Sequence, residues 1–421
     1  MTGRDAGNLG DPSAASWNTH ALITHAALKS LPWPRLEEPV VVTGLEDFLQ
    51  RAKPELNALI VWYWSLLAKR AGSPSRSEPP PGNVQTKGDF LSALKLSPNT
   101  TLEYVRLSAP AEVDPHSPHD PSRDGPPGAS YLDSPVGTAV TAHQVLFTYS
   151  DEPDWGMDQD LFRLENHPYG AAPFGLTDGI GSQVPFHMAF LHESPLLMRI
   201  FPVLAKCFLP ERVRVFFALA GLAFAKECDY WGWRFTAWAM HYLQDLTTPY
   251  HARPFPPPLI PAIATLVRMG IRRSLHEKIQ HILKTHHVLF EGMVHLMLNE
   301  AVKKRFDHPF LSALQSRGAP SAAFVPGSSP TELDRVIRTA SETAARLASK
   351  IDSALVALFS NRGIDDTAYR TGTDLLRTNL DILTCVAQET TAPLVRFLDP
   401  TSECLSVAGE VTRYVVRRLV S

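Results

Sequence analysis

With 421 residues, of which 40 are Lys or Arg and 43 are Asp or Glu, the chain carries a formal net charge of -3. So balanced a charge offers no bulk attraction to nucleic acid or anionic lipid, though it leaves room for a local patch. Hydrophobic residues at 44% and charged residues at 20% describe a globular chain, whose 36 prolines predict long irregular connections and whose 16 histidines call for a chemical explanation.

A first helix is expected over 19–31, with Leu22, Ile23, Ala26 and Ala27 on one face. A second is expected over 45–69, with Leu49, Leu56, Ile60 and Trp64 at helical spacing. Stretches 73–82 and 109–130 are proline-rich and polar, and bury too little apolar surface to offset chain ordering. The segment 72–142 therefore reads as a largely irregular insertion, with a short structured piece at 89–96, within a single large helical domain over 15–421. Helical apolar runs return from 191 to 246, broken near Pro210 and around 229–232, and Pro249 with the proline run 254–261 closes that section. Helices are expected again over 262–300, after a capping box at Ser329–Glu332, and over 364–387 and 401–420. No segment alternates as a strand does and no repeat period is present, so the expected fold class is all-α.

Four cysteines, Cys207, Cys228, Cys385 and Cys404, stand far apart and read as buried thiols rather than a disulfide framework. The most apolar run, 213–225, is 13 residues long, well short of the roughly 20 that span a bilayer. Residues 1–16 lack the apolar core of a signal peptide. The expected compartment is therefore the cytoplasm, with secretion open if translation starts elsewhere.

The chemistry concentrates in His241-Tyr-Leu-Gln-Asp245-Leu-Thr-Thr-Pro249-Tyr-His251. His241 and Asp245 lie four apart and project from one helix face, where they can share a metal or let the carboxylate bridge two. Pro249 stops the helix, so His251 can swing toward the same region. His287 and Glu291 form a second pair four apart; His286 competes, but the position four residues after it is Phe290. Glu277 and His281 are a reversed pair that reads as a solvated face. Upstream lie Trp17-Asn-Thr-His20, the carboxylate cluster Asp151, Glu152, Asp154 and Asp158, and Pro185-Phe186-His187. No GxSxG, P-loop or HExxH motif offers a different chemistry.

In order and spacing these elements resemble the zinc-dependent phospholipase C and P1 nuclease family. HYLQDLTTPYH is similar to that family's central motif, Phe186-His187 to its histidine after an aromatic, and His287…Glu291 to its last ligand pair. The resemblance spans Trp17 to Glu291. It implies an all-helical fold and up to three zinc ions per chain. One would be held by Asp151, His187, His241 and Asp245, and a second by His251, His287 and Glu291. The third would take His20, a shared Asp245 oxygen and the backbone of Trp17. Glu152, Asp154 and Asp158 share a turn with Asp151 and compete for its place. Imidazole and carboxylate donors suit zinc. In the family the tryptophan is the mature N-terminus, whereas sixteen residues precede Trp17 here. The third site thus requires processing at Ser16–Trp17, another start, or a rebuilt ligand set.

The resemblance implies hydrolysis of a phosphodiester by metal-activated water, with Asp151 orienting or deprotonating that water. A phospholipase C acting on glycerophospholipids is favoured by the His251-Ala252-Arg253 continuation and the near-neutral charge. Phe174, Phe186, Phe190, Tyr250 and Phe255 are candidates to line either an acyl-chain path or a base-stacking surface. The alternatives are a single-strand-specific nuclease of the P1 type, or a non-catalytic zinc-stabilised helical protein binding membrane surfaces. A peripheral membrane contact would come from the C-terminal helix with Arg413, Arg417 and Arg418. No stable nucleic-acid partner is expected.

Overall fold

The computed structural model describes residues 19–29, 33–71, 83–107, 131–158, 186–200, 205, 207–253, 273–304, 307–316, 324–326, 331–359 and 391–420. Trp17, Phe174, Phe255, the proline run 254–261 and the expected helix over 364–387 lie outside them. Helices make up 73% of the described residues, so the fold is all-α.

The chain opens with α1 (Thr19–Leu28), α2 (Pro34–Glu37), strand β1 (Pro39–Val41) and α3 (Leu45–Ala71). It continues with α4 (Lys87–Ala93), β2 (Val105–Leu107), β3 (Tyr131–Asp133), β4 (Ala139–Thr141) and α5 (Ala142–Tyr149). A 3-10 turn over Glu152–Trp155 follows, then α6 (Pro195–Ile200), α7 (Leu209–Ala225), α8 (Asp229–Asp245) and the single turn α9 (Pro249–Ala252). The remaining helices are α10 (Arg273–Lys304), α11 (Pro309–Gln315), α12 (Glu332–Phe359) and α13 (Thr391–Val420).

The axis of the molecule is α8, buried on every side from Tyr230 to Asp245. It is apolar and aromatic around its circumference, which suits a helix surrounded by others rather than one lying on a surface. α7 packs along it, and α5 and α13 cover other flanks. A three-residue connection with Glu227 at φ 56° joins α7 to α8, and so short a link makes the two antiparallel neighbours. The break expected around 229–232 falls at this connection, just before α8; Gly232 itself lies inside the helix, where a Cβ would stand 2.6 Å from the Phe224 ring. The glycine allows close helix approach instead of ending the element. The break expected near Pro210 is also present: the proline stands in the first turn of α7, which starts anew at Leu209.

One expectation changes. The strands, absent from the sequence reading, form two antiparallel ribbons of three residues each, β1 with β4 and β2 with β3. Within the segment 72–142, the structured piece expected at 89–96 corresponds to α4, and it reaches the core. Thr86 and Asp89 close a capping box on α4, and Phe90, Ala93 and Leu94 are fully buried. Buried Arg212 donates to the carbonyls of Leu94 and Lys95, and Tyr149 Oη donates to Val105 O at 2.8 Å.

The terminal helix begins ten residues before the expected 401, with Pro400 inside it. Packing of α13 against α11 and α12 outweighs the backbone bond that the proline removes. Its arginines do not form a free basic face. Arg413 donates to Leu314 O, Arg417 lies over the Trp33 ring, and Arg418 stands 3.7 Å from Glu332. Among the described residues no helix is long and apolar enough to cross a membrane.

Candidate metal centre

The final two turns of α8 present His241 and Asp245 to one point, as their spacing predicts. Opposite them, His187 follows the fully buried Phe186. His241 Nδ1 faces only an acceptor, Ser150 O, at 2.7 Å, so that nitrogen carries the proton and Nε2 keeps its lone pair. His187 Nε2 stands 3.1 Å from Asp158 Oδ2, and its Nδ1 looks the other way. The two remaining nitrogens, His187 Nδ1 and His241 Nε2, meet at 3.0 Å. Asp245 Oδ2 lies 3.0 Å from the first and 3.3 Å from the second. Two imidazole nitrogens and a carboxylate oxygen converge on one buried space, an arrangement that a metal ion or a shared proton satisfies.

Asp245 extends the cluster with its other oxygen. Oδ1 stands 3.0 Å from His251 Nδ1 and 3.5 Å from His20 Nε2. His251 comes from α9, whose first residue is Pro249, and its carbonyl accepts from Ala189 N, tying α9 to the His187 segment. On its far side, His251 Nε2 meets His287 Nε2 at 2.7 Å, with Glu291 Oε1 at 3.2 and 2.8 Å from the two rings. His287 and Glu291 lie one turn apart on α10. This second group also pairs facing imidazole nitrogens with one carboxylate.

His20 enters from α1. Its Nδ1 donates to Gln244 Oε1 at 2.9 Å, and the Gln244 amide donates to the Thr24 and Thr412 hydroxyls, each at 2.9 Å. That leaves His20 Nε2 aimed at the carboxylates of Asp245 and Asp154. Three groups capable of holding a metal ion result among the described residues: His187, His241 and Asp245; His251, His287 and Glu291; and His20, Asp154 and His241.

The carboxylates of the turn reach different partners. Asp151, expected as a ligand and water-activating group, is fully buried and belongs to none of the three groups. Its Oδ1 accepts from Ala21 N at 3.0 Å, so it fixes the start of α1 and with it His20. The 3-10 turn carries Asp154 to the cluster instead, 3.6 Å from His187, 3.7 Å from His241 and 3.8 Å from His20. Asp158 lies behind His187, paired with Arg212 and accepting from Tyr242 Oη at 2.6 Å. Glu152 pairs with buried Arg234 and accepts from Trp238 Nε1 at 2.6 Å, which locks the turn to α8. No spacing signal favours Asp154 beforehand, because the contact that distinguishes Asp151 is distant in sequence.

Burial opposes charge on these rings, yet the carboxylates outweigh it. Asp158 and Asp245 raise His187 to about 10, Asp245 and Glu291 raise His251 to about 10, and Asp245 with Asp154 and Asp151 raises His20 to about 9. Burial also pushes the Asp151 carboxyl up, whereas for Asp245 His251 and His241 overcome burial and hold it well below the usual carboxylate range. The field at the centre is thus strongly negative, a place built for positive charge. The expected ligands His20, His187, His241, Asp245, His251, His287 and Glu291 meet there. Phe186, Phe190 and Tyr250 do not line it from the solvent side: they are core residues, at most 7% exposed.

No protein-family model, curated protein or solved structure matches this chain.

Proposed function

We propose that the protein is a zinc-dependent phosphodiester hydrolase, with a glycerophospholipid as the substrate and a phospholipase C type of cleavage as the reaction. The observation that carries this reading is Asp245, whose two oxygens face separate imidazole groups within one buried cluster. The donor set fits zinc: imidazole nitrogens and carboxylate oxygens only, with second nitrogens tied to Ser150 O, Asp158 and Gln244 as supporting partners of metal ligands usually are. His187, His241 and Asp245 would hold one ion, His251, His287 and Glu291 a second, and His20 with Asp154 a third. When bound, closely spaced zinc ions supply Lewis acidity that polarises phosphoryl oxygens and makes water acidic near neutral pH.

The chain's own groups define where a diester would approach. His187, His241 and Asp245 are at most 2% exposed, whereas His20, Asp154, His287 and Glu291 are 12–24% exposed at their side chains. The open face of the cluster is therefore theirs. Asp154 stands on that face within 4 Å of three imidazoles, and its carboxylate is placed to orient an attacking water and accept its proton.

The test is hydrolysis of phosphatidylcholine vesicles and of single-stranded DNA side by side, with and without a chelator, on protein of measured zinc content. Chelator-sensitive release of phosphocholine supports the reading. Cleavage of DNA alone reassigns the protein to the nuclease chemistry, and bound zinc without turnover of either substrate makes the metal structural.

A further inference from the structure

We infer that Asp352 is a positioning residue for the His251, His287 and Glu291 group, acting through Tyr250 and His286. This rests on the metal reading above but concerns residues that are not ligands. α12 packs against both α9 and α10, and its inward face is a stripe of small and aliphatic residues running from Val336 through Ala344 and Ile351 to Leu358. Asp352 interrupts that stripe at 6% exposure. A carboxylate in such a place is retained only if its hydrogen bonds are made.

Both are made by neighbours of the metal group. Tyr250 Oη donates to Asp352 Oδ1 at 2.9 Å, and His286 Nδ1 meets the same oxygen at 2.7 Å. Tyr250 immediately precedes His251, and His286 immediately precedes His287. The Tyr250 ring also stacks on His287, centroids 5.8 Å apart and planes 23° apart, and meets Phe290 edge-on at 5.6 Å. One carboxylate oxygen thus holds the backbone position before each of two imidazoles and the ring that lies flat against one of them. α9 is a single turn, too short to fix His251 by its own backbone bonds, and the orientation must come from outside. Asp352 supplies it. The arrangement also accounts for His286, whose spacing excludes it from pairing with Glu291 yet whose burial at 3% exposure demands a partner.

The experiment is a titration of the metal-stripped full chain with Co2+, followed by visible absorption, and with Zn2+ against a competing chelator. Wild type, Asp352→Asn, Tyr250→Phe, Glu291→Gln and the exposed neighbour Ser353→Ala are compared, each checked for native helix content by circular dichroism. Asp352→Asn and Tyr250→Phe are expected to weaken one class of site by about 10–100-fold and alter its Co2+ bands. The affinity of the remaining class should stay at the wild-type value. Tyr250→Phe keeps the stacking ring and guards against a folding defect in the aspartate variant. If Glu291→Gln loses a site while Asp352→Asn and Tyr250→Phe bind as wild type and Ser353→Ala do, the positioning role is overturned and the metal reading stands. Wild-type protein that binds no metal overturns both.

Discussion

His187 and His241 meet nitrogen to nitrogen at 3.0 Å, each with its opposite nitrogen held by a protein acceptor. Neither ring can turn away to hydrate the lone pair, so the contact is a standing demand for a cation or a shared proton. Protein purified without chelator is expected to carry at least two zinc ions per chain by elemental analysis. Stripping them should lower the melting temperature by about 5 °C or more, because ligand bound only to the folded state stabilises it by mass action. A chain that holds fewer than two ions contradicts the multi-metal arrangement.

Asp154 and Asp151 separate cleanly by substitution. Asp154→Asn is expected to reduce kcat by about 10²–10⁴-fold, the usual weight of a positioned acid or base, with the ions of the other two groups retained. Asp151→Ala should instead cost about 1 kcal/mol in urea denaturation, as loss of a helix-start acceptor does, with the smaller effect on turnover. The opposite ranking in steady-state kinetics would return the water-activating role to Asp151.

Removing the partner of buried Arg234 should be severe. Glu152 binds that guanidinium and the Trp238 indole while sitting between Asp151 and Asp154. Glu152→Gln leaves an uncompensated buried charge and is expected to destabilise the fold by about 3–5 kcal/mol, measurable by denaturant midpoint. A loss below about 1 kcal/mol would show that the turn is held by something else.

Acid stability should depend on a histidine remote from the centre. His25 on α1 stacks on His143 with ring centroids 5.3 Å apart, and burial, with the charges of His143 and Lys29, pushes it down to about 3. In the unfolded chain it titrates near 6.5. Between these values the unfolded state binds the extra proton, so stability is full above about pH 6.5 and falls as the pH drops toward 3, by an amount on the order of a few kcal/mol. His143 is pushed down as well, by burial against the opposing pull of Glu37, and acts in the same direction. His25→Phe should flatten the acid limb of the stability curve; an unchanged limb would assign it to other groups.

What the sequence makes legible is what chain-local geometry controls. His241 and Asp245 are readable because four residues on a helix define one face, and His287 is preferred to His286 for the same reason. The helices over 45–69 and 209–245 follow from apolar spacing. The break around 229–232 is legible to within a few residues, although Gly232 itself serves contact with Phe224 on the preceding helix. The ribbons escape notice because three residues are too few to show alternation. Asp151 and Asp154 are indistinguishable by spacing: their contacts divide only once Ala21, 130 residues earlier, supplies an amide to Asp151. Asp352 is hidden for the same reason, since its partners lie 66 and 102 residues away.

Gln244 bears on how the protein matures. Its one amide group joins His20 and Thr24 near the start of the described chain to Thr412 near its end, 224, 220 and 168 residues distant. Closing loops of that length is among the slowest and latest events in folding. No nascent chain still lacking its last helix can complete the cradle of His20. On the proposed metal reading, an ion at His20 would be held fully only after the last helix has docked behind Gln244, and a truncated copy would be told from a sound one by its lower metal content.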